Sequence, residues 1–227
     1  MKFIVFGIGS YGASLGSKLV ELGHEVFGID NVPARTEMLK NRITYTVTMD
    51  ATNREAIQDL PLKEAEAVII AIGENEGTII LLAALLKQIG VKRIISRVTS
   101  TLQKTVLETM GLSEFVYPEQ NSADRMAYQL SFDGVIDSHR VCEKYRIVEA
   151  NAPGRLIGKK VTDIDFQNEF EIQLVSIKRN FEEKNILGAT RLKKHTLGIL
   201  TPSTEFRTGD VLILFGESRK IKTFLEL

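Results

Sequence analysis

The chain has one cysteine, Cys142, three histidines, and no long hydrophobic run. A lone cysteine excludes an internal disulfide and a cysteine-cluster metal site. Set beside a charged stretch, it reads as a bystander rather than a nucleophile. The longest uninterrupted apolar run, Ile79 to Leu86, is far short of the ~20 residues that span a bilayer. A membrane-crossing chain is therefore not expected, though one resting against a membrane protein is compatible. Net charge is lacking too: Lys plus Arg and Asp plus Glu both number 29, so no global field draws the chain to nucleic acid or anionic lipid. Met1 and Lys2 lead directly into Phe3-Ile4-Val5-Phe6, which leaves no room for a signal peptide and predicts a cytoplasmic location.

The histidines offer little chemistry. His24 falls in a helix-to-strand turn, where it reads as a surface structural residue, while His139 in a charged linker and His195 in a polar loop after Lys193-Lys194 are near no predicted cleft. The sequence has no Ser/His/Asp order, Gly-x-Ser-x-Gly elbow, Gly-Lys-Ser/Thr loop or His-Glu-x-x-His pair. A dehydrogenase needs a proton donor beside its nicotinamide, and no residue stands out for that role. The expectation is a protein that is not an enzyme.

What is present is a regular alternation. Candidate strands Lys2–Phe6, Glu25–Ile29, Thr44–Thr48, Ala67–Ala71, Arg93–Arg97 and Phe115–Tyr117 are separated by amphipathic stretches near Tyr11–Leu22, Pro33–Asn41, Asn53–Leu60, Thr78–Ile89 and Leu102–Met110. Such alternation predicts an α/β fold, a Rossmann-like doubly wound parallel sheet. Thr52-Asn53-Arg54-Glu55 fits a capping box, Pro33 a first helical turn, and Gly23, Gly90 and Gly111 left-handed carboxy-terminal caps. The helix through Thr78–Leu86 is apolar nearly all round, so its outer side also needs burial, most simply in a subunit interface.

Glu119 to Ser131 carries Ala123, Met126, Ala127 and Leu130 on one helical face. This helix follows a finished sheet and predicts packing on a second domain or subunit. From about Tyr145 the pattern changes to strands at Tyr145–Glu149, Phe170–Lys178, Gly198–Thr201 and Val211–Phe215, with short helices at Gly158–Ile164 and Ser218–Leu225. Asn180–Lys194 reads as an exposed loop or hairpin, and Thr208-Gly209-Asp210 as a turn into a strand. The expected organisation is a Rossmann-like domain over 1–118, a connecting helix and linker over 119–143, and a smaller α+β domain over 144–227.

The glycine loop VFGIGSYGASL, residues 5–15, is the main functional signal. Gly7, Gly9 and Gly12 follow a predicted strand and open a predicted helix, and Asp30 ends the next strand near the ~20-residue spacing of a ribose ligand. Amides at the helix start would meet a pyrophosphate. Asp30 would accept from ribose hydroxyls and repel a 2′-phosphate, which disfavours NADP. Ser10 and Tyr11 in the loop, Asn31 after Asp30, and Gly73 after the fourth strand complete the candidate cleft. Asp50, before Ala51 and Thr52, reads either as an adenine-edge residue or as a helix-start acid, and the two are compatible.

Taken together, Gly7-Ile8-Gly9-Ser10-Tyr11-Gly12, "GHEVFGID" at 23–30, "MDAT" at 49–52, "VIIAIG" at 68–73 and "VYPEQ" at 116–120 resemble the RCK (regulator of potassium conductance) domains. The segment from "YRIVEANAPGRLIGKKV" through "TGDVLILFG" resembles the TrkA-C domain that follows them. The resemblance spans nearly the whole chain and implies a cytosolic gating subunit of a Trk/Ktr-type bacterial potassium uptake system. It implies dimers assembled into an octameric ring beneath a potassium-translocating membrane subunit, with no nucleic acid partner. It also implies ATP, ADP or NAD(H) in the glycine-loop cleft, with phosphate at Gly7, Gly9 and Gly12, ribose at Asp30, and adenine near Asp50, Ala51 and Thr52.

Glu119 matches a position that in some members helps bind a divalent cation at the terminal phosphate; it reads equally as a first-turn acid of its helix. Many ATP-responsive members carry arginine where this chain has Ser10, which weakens an ATP preference and leaves ADP or NAD(H) open. Some relatives also bind cyclic di-AMP in the carboxy-terminal domain, and no residue here requires it. Two rivals remain. A small NAD-dependent oxidoreductase would need the missing proton donor. A redox-responsive repressor would need a winged or basic recognition helix, and none is read before the first strand.

Overall fold

The computed structural model describes residues 1–184 and 190–227, and the chain divides into two compact units, Met1–Glu119 and Gln120–Leu227. In the first unit, β1 (Lys2–Phe6), α1 (Ser10–Glu21), β2 (Glu25–Asp30), α2 (Pro33–Leu39), β3 (Tyr45–Thr48) and α3 (Arg54–Gln58) alternate in order. They are followed by β4 (Ala67–Ile70), α4 (Glu76–Ile89), β5 (Ile94–Arg97), α5 (Thr101–Thr109) and β6 (Glu114–Val116). The six strands pair in parallel in the order β3-β2-β1-β4-β5-β6. Side chains alternate across a strand, so Ile4 and Phe6 of β1 join one core with Leu82 and Leu86 of α4, while Val5 joins Val26 and Leu39 in the other. Both faces of the central strands are covered, which is why β4 is a continuous buried apolar run.

The helix ends follow local chemistry. Gly90 caps α4 at φ 87°, as its position after the last periodic residue predicts. At α3 the expected capping box does not form. Asn53 is the cap, its side-chain oxygen accepting from the amides of Glu55 and Ala56 at 3.1 and 3.2 Å, because Thr52 is drawn away to Asp50. α4 buries Ile79, Leu82, Ala83 and Leu86 against the sheet and leaves Leu81 57% exposed. Leu102 on the neighbouring α5 is 73% exposed. The outer side of α4 is thus uncovered within the first unit.

The helix α6 (Pro118–Ser131) begins in the first unit and continues into the second. There β7 (Val135–Arg140), β8 (Tyr145–Asn151), β9 (Ile172–Lys184), β10 (Thr190–Thr196) and β11 (Val211–Glu217) form an antiparallel sheet in the order β10-β9-β11-β8-β7, followed by α7 (Ser218–Glu226). One core joins Val148, Leu174, Ile177, Leu212 and Leu214 of the sheet to Ile221 and Phe224 of α7 and Tyr128 of α6. Arg146 fastens α6 to the sheet. Its guanidinium donates to Asp124 at 2.7 and 2.9 Å and to Ser138 at 3.3 Å, and lies 4.5 Å from the centre of the Tyr128 ring. That anchorage uses Asp124 and Tyr128 rather than the apolar stripe of α6, leaving Met126 53% and Leu130 79% exposed.

Three details of this unit differ from expectation. Gly198–Thr201 is not a strand; Gly198 turns at φ 76°, and the strand lies earlier, at β10, paired antiparallel with β9. The segment read as an exposed loop or hairpin agrees with the second alternative as far as it is described: 180–184 and 190–194 belong to those antiparallel paired strands, and 185–189 lie outside the described residues. The segment read as a linker contains β7, so His139 sits on a strand. The helix expected at Gly158–Ile164 is a single 3₁₀ turn, Val161–Asp163; another, Gly154–Leu156, comes before it, and Gly158 at φ 84° separates the two. Among the described residues no helix is long and apolar enough to cross a membrane.

Candidate functional site

In a doubly wound sheet the crevice opens beyond the carboxyl ends of the strands where the order reverses. Here that point lies between β1 and β4, and a cleft of about 600 Å³ opens there. Gly7, Gly9, Ser10, Tyr11, Asp30, Asn31, Asp50, Ala51, Thr52, Gly73 and Glu119 all line it. Of the candidate residues only Gly12 is not on the wall.

The three glycines do different work. Gly7 has φ 87°, donates to the Ile29 carbonyl at 2.7 Å, and passes so close to β4's extension that an added Cβ would lie 2.8 Å from the Ile72 nitrogen. Gly12 lies under the loop, where an added Cβ would fall 2.0 Å from the Gly7 carbonyl oxygen. Gly9, the cap residue of α1, has nothing within 4 Å of its virtual Cβ. Its missing side chain leaves open space on the cleft wall, beside a helix start whose first amides lack intrahelical partners.

Asp30, at the end of β2, is buried. Its carboxylate accepts from the Ile8 amide in the glycine loop and from the Val32 amide, each at 3.0 Å, with Arg35 at 3.4 Å from both oxygens. It therefore braces the loop as well as facing the cleft. A carboxylate has about four acceptor sites, so the two amides leave capacity for a ribose hydroxyl in exchange for the long Arg35 contacts. Asp50 directs one oxygen at the amide and hydroxyl of Thr52, both at 2.8 Å, which holds its carboxyl below the usual range. Its other oxygen has no protein partner among these bonds. Burial pushes the Tyr11 phenol up, and Arg97 opposes that rise.

Arg97 is the residue that spacing did not reveal. It ends β5, two strands from the glycine loop, and only the sheet order brings it to the cleft. Its side chain is 17% exposed; Nη2 pairs with the Glu119 carboxylate, Nη1 makes a long 3.4 Å contact with the Ala71 carbonyl, and buried Nε has no partner. Gly73 leaves it room, since a Cβ there would come within 2.5 Å of Nη1. Arg35, Glu74, Asn75 and Thr78 also line the cleft without having been singled out. Glu119 alone makes no cation cage: among the described residues no three His, Cys, Asp or Glu side chains converge on a metal position.

A parallel sheet in this order, with a glycine loop at its switch point and a buried acid ending β2, defines a Rossmann-type module joined to a smaller antiparallel one. The chain belongs to the TrkA-N domain family, whose model matches residues 3–118. Over a wider span it is 32% identical to Ktr system potassium uptake protein C of Bacillus subtilis (strain 168), covering 80% of this chain and 82% of that one. Ktr system potassium uptake protein A of the same organism is 27% identical, covering 98% of this chain and 95% of that one. Among solved structures, the GsuK channel bound to NAD shares the fold with a TM-score of 0.64 at 15% identity. That match covers 99% of this chain but only 39% of the channel chain, so the chain spans well under half of it.

Proposed function

We propose that this chain is the nucleotide-binding regulatory subunit of a Trk/Ktr-type potassium uptake system. Membership of the TrkA-N family, with two potassium uptake proteins of similar length among its relatives, carries this reading. The cleft supports it: a phosphate cradle, a ribose acceptor and a half-buried guanidinium converge, with no histidine on its wall among the described residues. The ligand is an adenine nucleotide, ADP or NAD(H) ahead of ATP because Ser10 supplies no cation for a far phosphate. A divalent ion would enter at Glu119 only together with phosphate oxygens and water. Cyclic di-AMP in the second unit finds no specific support.

Regulation by such a ligand needs no bond to be made or broken. Two nucleotides that bind two conformations with different affinities shift the balance between them, and tenfold discrimination supplies about 1.4 kcal/mol per site. Several sites in one ring add. The uncovered apolar residues of α4, α5 and α6 are the natural interfaces for dimers and for the ring, and the assembly would lie at the cytoplasmic face against a membrane subunit. Leu81→Glu is expected to lower the mass of the assembly, read by light scattering, without lowering the melting temperature of the first unit, because Leu81 is exposed in the isolated chain. An unchanged mass would remove α4 from the interface.

Calorimetric titration with ATP, ADP, NADH and NADPH tests the ligand. Binding of at least one nucleotide without a 2′-phosphate is expected, with NADPH weaker than NADH by about tenfold or more, the scale of one unpaired charge at a buried carboxylate. Asp30→Asn should narrow that gap while keeping an acceptor for the loop. No binding, or steady turnover of a substrate, would reopen the oxidoreductase reading.

A further inference from the structure

The ion pair between Arg97 and Glu119 stands inside the cleft rather than beside it, since both residues line it together with Gly7, Gly9 and Gly73. Arg97 is the more buried member, with 17% of its side chain exposed, while Glu119 is 60% exposed. Beyond Glu119 the guanidinium has only the long Ala71 contact, and its Nε hydrogen is unsatisfied. The arrangement is thus an arginine positioned by packing, held under Gly73, whose principal charge partner is a solvent-reaching carboxylate. A cation largely withdrawn from water favours an anion beside it, but nothing fixes which one.

We propose that Glu119 is an internal counter-anion that occupies Arg97 until a ligand phosphate replaces it. This inference rests on the nucleotide reading of the cleft and concerns how binding there is regulated. A phosphate offers the planar guanidinium a stronger bidentate partner than the single oxygen it now engages. The two anions compete for one cation, and their mutual repulsion makes joint occupancy unfavourable when no other cation is present. Glu119 belongs to the first turn of α6, the helix that continues into the second unit. Exchange of partners at Arg97 therefore frees or holds the start of that helix according to whether a phosphate is bound. A ligand without phosphate, such as adenosine, would leave the pair intact.

The full chain is titrated with ADP and with adenosine in EDTA, beside Glu119→Gln, which keeps the shape and removes the charge. ADP affinity is expected to rise on the order of fivefold in the variant, the scale of one partly exposed ion pair. Adenosine affinity should stay the same. In the unaltered chain, ADP should also increase amide hydrogen exchange in the first turn of α6, and adenosine should not. If the unaltered chain binds ADP but Glu119→Gln binds it equally or less well in EDTA, Glu119 is not a competitor and the inference fails alone. If the unaltered chain binds no nucleotide, the nucleotide reading itself falls.

Discussion

Gly12→Ala is expected to unfold or severely loosen the first unit, whereas Gly9→Ala, three residues away, should leave the fold intact and damage ligand binding instead. At position 12 the new methyl would lie 2.0 Å from the Gly7 carbonyl oxygen and 3.2 Å from the Ala71 side chain. Neither neighbour is a flexible chain end. Relief requires α1 to lift from the loop or Gly7 to move, and moving Gly7 stretches its 2.7 Å bond to Ile29. Forced overpacking of this kind costs about 1–3 kcal/mol and can exceed that where backbone must shift. Gly12→Ala should therefore fall at or above the upper end, a large share of the roughly 5–15 kcal/mol that holds a domain together.

At position 9 the backbone is at φ −70°, available to any residue, and the added methyl meets nothing. The change of cap residue from glycine to alanine costs about 0.5 kcal/mol. The same methyl enters the space where backbone must approach a pyrophosphate. Nucleotide affinity should drop by about tenfold or more, since each 1.4 kcal/mol is a factor of ten. Thermal unfolding followed by circular dichroism, with ADP titration on whatever remains folded, separates the two outcomes. Equal stability for both variants would mean the loop is looser than its geometry requires.

The contrast shows what could be read from the sequence and what could not. Spacing alone marked Gly7, Gly9 and Gly12 as one motif; only the packing separates a glycine that admits a ligand from one that admits a helix. The strands of the first sheet were legible because burial on both faces demands apolar runs such as Phe3-Ile4-Val5-Phe6 and Ala67-Val68-Ile69-Ile70. In the second sheet β10 reads Thr-Arg-Leu-Lys-Lys-His-Thr and lies at an edge, so its hydrogen bonds hold it without a hydrophobic signature. β7 was obscured similarly, by a register shift between Val135 and Asp137 that breaks its alternation. Arg97 was invisible for another reason. A strand-ending arginine is commonplace, and its place at the cleft depends on the order of β1, β4 and β5, which no local pattern encodes.

Asp210→Ala should cost the second unit about 3–5 kcal/mol, the usual consequence of removing one member of a buried ion pair. Asp210 opens β11 after the turn at Gly209, and its side chain is fully buried. One carboxylate oxygen accepts from Arg179 Nε and the other from Arg179 Nη2, both at 2.7 Å, and the second also takes the Arg207 amide at 2.8 Å. Arg179 is itself 13% exposed and is otherwise tied by Nη2 to the Glu205 carbonyl at 2.7 Å. Truncation would strand a buried guanidinium and orphan an amide, and water has little access to either. The turn was legible from Thr208-Gly209-Asp210, but a partner 31 residues away was not.

Asp210→Asn should cost less, because the amide oxygen can still accept from Arg207. Arg179→Met combined with Asp210→Asn should recover part of the loss relative to Asp210→Ala, since no uncompensated charge remains. Urea unfolding with hydrogen exchange at the β8, β9 and β11 amides assigns the effect to this unit. If Asp210→Ala destabilised by less than about 1 kcal/mol, the pair would be behaving as a solvated surface bridge, and the burial that distinguishes it would have no energetic consequence.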